Sequence, residues 1–263
     1  MAARDLTGCT VVVTRPSGQA ESLLKRLASA GANPIPFPVI AIQALPVHTP
    51  DAQTRQQVAG CDLAIFISRN AVRHGLPVIE QAGGLAPGVR VAAVGKGTAE
   101  ELDRHGVHVD LLPSRGASSE ALLAVLADDT ISGKQVLIVR GVGGRELLAD
   151  TLKSRGACVD YLECYQRVLP DTDAHILPRL HGEGQVDAIV VTSLEGLRNL
   201  ERLVPDTEKS TLRSVRLYVV SAAMVDLCAD LGYKLKPVLM DSPSDDDIMT
   251  ALQMHCRDEY RPE

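Results

Sequence analysis

Laid over itself with a shift of 125 residues, the chain meets a second copy of its own pattern. Arg15 falls on Arg140, Gly18 on Gly143, Glu21 on Glu146, Leu27 on Leu152, Gly31 on Gly156 and Ala32 on Ala157. The same shift pairs Asp62 with Asp187 and Ser68 with Ser193. At a shift of 126, Val89 and Arg90 meet Val215 and Arg216, Gly106 meets Gly232 and Ser118 meets Ser244. One residue of drift over the whole chain is the mark of a single duplication, and its period is too long for a solenoid. Two related halves of ordinary domain size are therefore expected.

Within each half, short β-branched runs alternate with helical patterns. The expected strands are Val11–Val13, Leu63–Ile67, Val91–Val94, Val136–Val139, Ala188–Val191 and Leu217–Val220. Near-continuous apolar strands separated by amphipathic helices predict parallel sheets covered on both faces. The Leu-rich stretches SLLKRLASAG and ELLADTLKSRG end in Gly31 and Gly156, which suit helix C-terminal caps. Two further stretches, Phe37–Leu45 and Glu163–Pro170, read as extended and are followed by proline-marked loops. They fit ordinary strands inside each half. They fit equally well two crossings between domains that pair as a ribbon, and the residues alone leave both arrangements open.

Composition removes several classes of function. With no Trp and 3% aromatic residues the chain lacks stacking platforms for single-stranded nucleic acid. A net charge of −6 excludes a globally basic surface. No apolar run approaches a membrane span, and MAARDLTGCT has no apolar signal core, so a cytoplasmic protein is expected. The six cysteines, with no CxxC pair, read as free thiols of a reducing compartment. No HxxxH or HExxH pair supports a metal.

Ligands of open α/β sheets bind beyond the carboxyl ends of the strands. The loops expected there are 14–20, 68–73, 95–99, 113–119 and 140–145. They carry Arg15, Arg69, Arg73, Lys96, Arg115, Arg140 and Arg145 and not one Asp or Glu. They are also rich in Gly, Ser and Thr, which leave backbone N–H groups open at helix N-termini. An anionic ligand follows. GxxxxGK[ST] and GxGxxG turns are absent, which argues against nucleotide phosphates. Carboxylates remain, and arginine binds them in bidentate fashion. The loop RGVGGR is the densest such stretch, with Gly143 and Gly144 between Arg140 and Arg145.

VTRPSGQAESLLKRL, FISRNAV, AAVGKGTAEEL, VRGVGGRELLADTLKSRGA, ECYQRV, VVTSLEGL and LYVVS occur here in order. In these motifs the chain resembles the bacterial branch of the uroporphyrinogen-III synthases, nearly end to end. The resemblance implies two similar parallel-sheet α/β domains joined by a two-stranded β-ribbon, with the active site in the cleft between them. The first domain would hold 1–38 and 171–263, the second 46–163, and the ribbon 39–45 and 164–170. It implies a lyase that closes the linear tetrapyrrole hydroxymethylbilane with inversion of ring D and release of water, on the way to haem, sirohaem and cobalamin. It implies no metal or cofactor, no nucleic-acid or membrane partner, and a monomer touching neighbouring pathway enzymes only transiently.

Residue by residue, the resemblance makes Tyr165 the proton-donor candidate. Ser68, Thr98, Thr192 and Ser193 match the family's strand-end hydroxyls and its GxxT position, with an N-cap the plainer role for Thr98. Arg15, Arg69, Lys96, Ser118, Arg140, Gly143, Gly144, Arg145 and Ser221 complete the expected substrate contacts. The second-half loop at Ser221 has no cation and stands near the acidic DSPSDDD, 241–247, so its contribution would come from backbone N–H groups. A non-catalytic receptor for a polycarboxylate would show the same arginine-rich loops; Tyr165 and the end-to-end motif match set the enzyme ahead of it.

Overall fold

The computed structural model describes residues 6–46, 50–126, 131–173, 175–177, 179 and 186–255. Cys256, one of the six thiols, lies outside them, as do parts of the expected first-domain segments 1–38 and 171–263 and of the second-domain segment 46–163. In chain order the elements are β1 Thr10–Val13, α1 Ser17–Ser29, β2 Asn33–Pro36, β3 Ala41–Ala44, α2 Ala52–Gly60, β4 Leu63–Phe66, α3 Arg69–Gln81, β5 Arg90–Ala93, α4 Lys96–Arg104, α5 Ser119–Val125, β6 Gln135–Gly141, α6 Leu147–Ser154 and β7 Cys158–Val168. Then come β8 Ala188–Val190, α7 Leu194–Leu203, α8 Lys209–Leu212, β9 Arg216–Val219, α9 Ala222–Leu231, β10 Val238–Leu239 and α10 Asp245–His255.

The strands form two five-stranded sheets, ordered β10-β9-β8-β1-β2 and β3-β7-β6-β4-β5. The chain divides into two units, 1–41 with 168–263 and 42–167. The backbone thus passes from one to the other at Ala41 and returns at Val168.

In the first unit β1 pairs in parallel with β8 and with β2. All four residues of β1 are buried, as are all three of β8, which is what a central parallel strand demands. β2, with the sequence NPIP, carries no apolar signature and was not among the expected strands. It survives because a parallel edge strand uses every second N–H. Asn33 and Phe37 donate to Cys9 and Val13, while Pro34 and Pro36 fall on the outward-facing positions where a missing donor costs nothing. Phe37, Val39 and Ile40 are buried rather than part of a ribbon strand; the Phe37 and Val39 N–H groups continue the ladder along Val13 and Thr14.

In the second unit β4 and β6 run in parallel, flanked by β5 and β7. Side chains alternate between faces. Ala64, Phe66 and Val139 pack with Val72, Leu76 and Leu162 on one side, and Leu63, Ile65 and Ile138 pack with Leu122, Leu148 and Leu152 on the other. Each such large side chain, fully buried, contributes about 1.5–3 kcal/mol before entropy is charged. α3 lies unusually close to β6: a Cβ on Gly75 would stand 2.3 Å from Val139 Cγ1. That approach fixes where the N-terminus of α3 meets the carboxyl ends of the strands.

β7 breaks its alternation once. Arg140 pairs with Glu163 but Gly141 pairs with Tyr165, so Cys164 is an extra residue. A bulge of this kind re-aims the side chains that follow it. Cys164 and Tyr165 are consequently consecutive and both buried, in the same core cluster as α3.

Candidate functional site

Beyond the carboxyl ends of β4 and β6, the second unit holds a cavity of about 400 Å³. Its wall includes Ser118, Arg140, Gly143, Gly144, Arg145 and Tyr165. The sequence had singled out all six. It also includes Tyr161, Arg167 and Glu120, which sequence reasoning missed. Tyr161 could have been suspected only from its place on the strand that carries Tyr165.

Tyr165 is 2% exposed. Its ring lies against His74, with centroids 5.7 Å apart, and against Gly141, where an added Cβ would meet ring atoms Cε2 and Cζ at 2.6 and 2.7 Å. Gly141 is therefore a glycine because a tyrosine ring occupies the space of its side chain. The hydroxyl shares a hydrogen bond with Ser68 Oγ at 3.1 Å. Ser68 is the N-cap of α3, its Oγ accepting the Ala71 N–H at 3.0 Å. Burial, with the Arg73 charge beside it, holds the His74 imidazole below its ordinary value.

Arg140 answers the arginine-rich loop differently from expectation. Its side chain is 4% exposed. The guanidinium donates to the Gly141 and Gly143 carbonyls and to Glu146, and it stacks 4.6 Å from the centre of the Tyr161 ring. Glu146 also accepts from the Tyr161 hydroxyl. The Tyr161 and Arg140 hydrogen bonds hold the Glu146 carboxyl below the usual range. Burial first, then Glu146, pushes the Tyr161 phenol up to about 12. The loop between, turned by positive φ at Gly143 and Gly144, is thus tied from within. Arg145 is the opposite: its side chain is 82% exposed, with Glu120 at 3.6 Å.

The remaining expected residues do not line this cavity. Arg69 donates to the Gly97 carbonyl and lies 3.7 Å from Glu100. Lys96 is exposed at the start of α4, and Thr98 is buried two residues on; the cap of that helix is Gly95, not Thr98. Arg15, Thr192, Ser193 and Ser221 belong to the first unit. Ser193 caps α7 through the Gly196 N–H, Ser221 occupies the cap of α9 with no side-chain bond, and Thr192 is half-buried. Arg15 is held by Asp245 at 2.6 Å and by the Pro243 carbonyl.

The loops that looked purely basic therefore meet carboxylates that lie just beyond them or on other elements. Arg73 pairs with the buried Glu101, Arg15 with Asp245 and Arg140 with Glu146. The acidic stretch 241–247 supplies one of these partners and caps α10, with Ser244 Oγ accepting from Asp247 N. The two arginines related by the duplication, Arg15 and Arg140, are each engaged by one carboxylate and at least one loop carbonyl of their own unit.

Two parallel α/β units of one internal repeat, with a hydroxyl- and arginine-lined cavity at the strand ends of one of them, define a two-domain α/β protein. The family model described as "Uroporphyrinogen-III synthase HemD" matches residues 21–246, and the chain belongs to the uroporphyrinogen-III synthase family. It is 35% identical to the uroporphyrinogen-III synthase of Salmonella typhimurium, over 93% of this chain and 100% of that protein. It is 34% identical to that of Escherichia coli, again over 93% and 100%. Among solved structures, a mutant uroporphyrinogen III synthase from Thermus thermophilus aligns with a TM-score of 0.56 at 20% identity, covering 94% of this chain and 99% of that one. The Helicobacter pylori uroporphyrinogen-III synthetase gives 0.56 at 14%, covering 94% and 97%. At such identities these two speak for the fold.

Proposed function

We propose that this chain is a lyase that closes hydroxymethylbilane to uroporphyrinogen III, with Tyr165 as the group that assists departure of the substrate hydroxyl. Membership of the family supports the reaction. The observation that carries the residue assignment is the Tyr165 phenol, fixed in the wall of the second-unit cavity by Ser68, Gly141 and His74. A cavity near 400 Å³ is at the small end of ligand sites, roughly 300–1,000 Å³, so it accommodates part of a tetrapyrrole rather than all of it.

The chemistry needs few special groups. The phenol gives its proton to the leaving hydroxyl as the carbon–oxygen bond breaks, and the pyrrole nitrogen lone pair stabilises the carbon left behind. Ring D attacks through its substituted carbon, and the spiro intermediate fragments and recloses with the ring turned over. The proton lost from ring D on closure returns to the tyrosinate, so the balance is one water released. Most of the remaining work is holding a flexible chain in one folded shape. Arg145 and Arg167, both exposed and both in the cavity wall, suit the substrate's carboxylates. Arg140 serves as the brace that shapes the loop.

Tyr165→Phe tests the reading. Turnover should fall roughly 10- to 1,000-fold, and spontaneous closure to the uninverted isomer should then compete. The measurement is the isomer ratio and single-turnover rate from fresh hydroxymethylbilane with folded protein. Wild-type turnover would reduce Tyr165 to a packing residue.

A further inference from the structure

From the hydroxyl pair in the second unit we infer that Ser68 is a positioning residue for Tyr165, donating a hydrogen bond to the phenol oxygen as Tyr165 gives its proton away. The inference rests on the reading of Tyr165 as the acid and adds to it the residue that makes the acid usable.

A serine hydroxyl has one proton and two lone pairs. In Ser68 one lone pair is taken by the Ala71 N–H at 3.0 Å, and this fixes the side chain at the cap of a thirteen-residue helix. The Tyr165 hydroxyl lies 3.1 Å away and has no other hydrogen-bond partner among the described residues. If the serine donates, the phenol proton is free to point into the cavity. When that proton leaves, the phenolate oxygen keeps a hydroxyl donor, and a charge-assisted bond is stronger than the neutral one it replaces. The oxygen then also stands beside the N-terminal end of α3, where partial positive charge favours an anion.

The tyrosine cannot easily turn elsewhere. Gly141 and His74 hold its ring on two sides, and the bulge at Cys164 sets which way it faces. Capping alone explains Ser68's bond to Ala71. It does not explain why the one phenol of the cavity wall that is not paired with a carboxylate is aimed at that same oxygen.

The experiment separates capping from donation. Asp caps helices about as well as Ser, but its carboxylate has no proton to give and repels a phenolate. Gly is nearly as good a cap and offers nothing to Tyr165. Ser68→Asp, Ser68→Gly and Ser68→Thr are each made in the wild-type and in the Tyr165→Phe background. Melting midpoints, single-turnover rates and isomer ratios are measured for all with fresh hydroxymethylbilane.

The expected result is a near-native melt for Ser68→Asp and Ser68→Gly, with turnover lowered at least tenfold. Ser68→Thr, which restores a hydroxyl, should regain most of that loss. In the Tyr165→Phe background none of the three should change the rate more than twofold. Ser68→Asp or Ser68→Gly turning over as fast as Ser68→Thr while Tyr165→Phe is slow would overturn this inference alone. So would losses that multiply in the double variants. Wild-type turnover in Tyr165→Phe would overturn both this inference and the tyrosine reading beneath it.

Discussion

Gly141→Ala is the smallest change that should disturb the site, and its size can be worked out. The backbone does not forbid it, since Gly141 is not among the glycines with positive φ. The obstacle is the Tyr165 ring, whose Cε2 and Cζ would stand 2.6 and 2.7 Å from the new methyl. Carbon atoms rest at about 3.5–4.0 Å, so the ring must retreat by about 1 Å. It is buried and has His74 and Ser68 against it, so the retreat is not free. Overpacking of this kind costs about 1–3 kcal/mol. A displacement of roughly 1 Å in a reacting group costs about 100-fold in rate. Urea unfolding should show the first with an unchanged slope. Single turnover of hydroxymethylbilane should show the second, with the uninverted isomer rising. If the clash is the cause, the stability cost should shrink below about 0.5 kcal/mol in a Tyr165→Ala background, where the two changes cannot remain additive. Native stability and native turnover in Gly141→Ala would mean that the ring has room to move and that its placement is not what the glycine protects.

Arg140→Ala should cost about 1–3 kcal/mol of stability, because it strips a buried carbonyl of its donor, and should weaken product binding without changing its salt dependence; Arg145→Ala should leave stability alone and flatten the salt dependence, as exposed charges do. Titrations at two ionic strengths separate the two. Glu101 lies below the ordinary carboxyl range chiefly through its hydrogen bond to Arg73, with burial opposing and Arg104 assisting. A depressed carboxyl contributes stability above its unfolded pKa and loses it as pH falls through the folded one, so Glu101→Gln should flatten the acid limb of a stability–pH curve. At neutral pH it should cost about 1–2 kcal/mol, less than the ~3–5 of a fully buried pair, since the Arg73 and Arg104 side chains are 41% and 63% exposed and can rehydrate. Burial pushes the Cys164 thiol up to about 12 and the Cys61 and Cys228 thiols up to about 11, whereas Cys158 is exposed. Of these four, brief alkylation near neutral pH, read by peptide mass, should mark Cys158 first; equal labelling of Cys164 would contradict its burial.

The apolar runs TVVV, LAIF and VLIV were readable as strands because a strand covered on both faces has little choice of side chain. NPIP was not, because its only qualification is the outward placement of two prolines, and that exists only once β1 is beside it. The loop 140–145 was readable as a concentration of arginine and glycine. Its counter-charge, Glu146, stands one residue beyond the stretch read as basic, and at the other loops the partners lie far away or on another element. Asp245 reaches Arg15 across 230 positions and Glu101 reaches Arg73 from another helix, so a loop without acids was not a loop without counter-charge. Ser68 and Tyr165 were each visible alone. Their pairing was not, because it depends on a one-residue bulge, and period-two reasoning along β7 puts Tyr165 on the wrong face.

The order of the first sheet has a consequence during synthesis. β1 sits between β2 and β8, and Val11 meets Ala188, far along the chain. The second unit, 42–167, is continuous and can close on itself as soon as β7 has emerged. β1, α1 and β2 come out first and have nothing to cover their other edge until β8 arrives, about 150 residues later. At about 5–20 residues per second, that is a wait of roughly 8–30 seconds with a run of valines and an open strand edge exposed to water. β1, α1 and β2 are thus made before the second unit and yet buried after it, and it is through these three elements that the nascent chain is most exposed to aggregation and to holding chaperones.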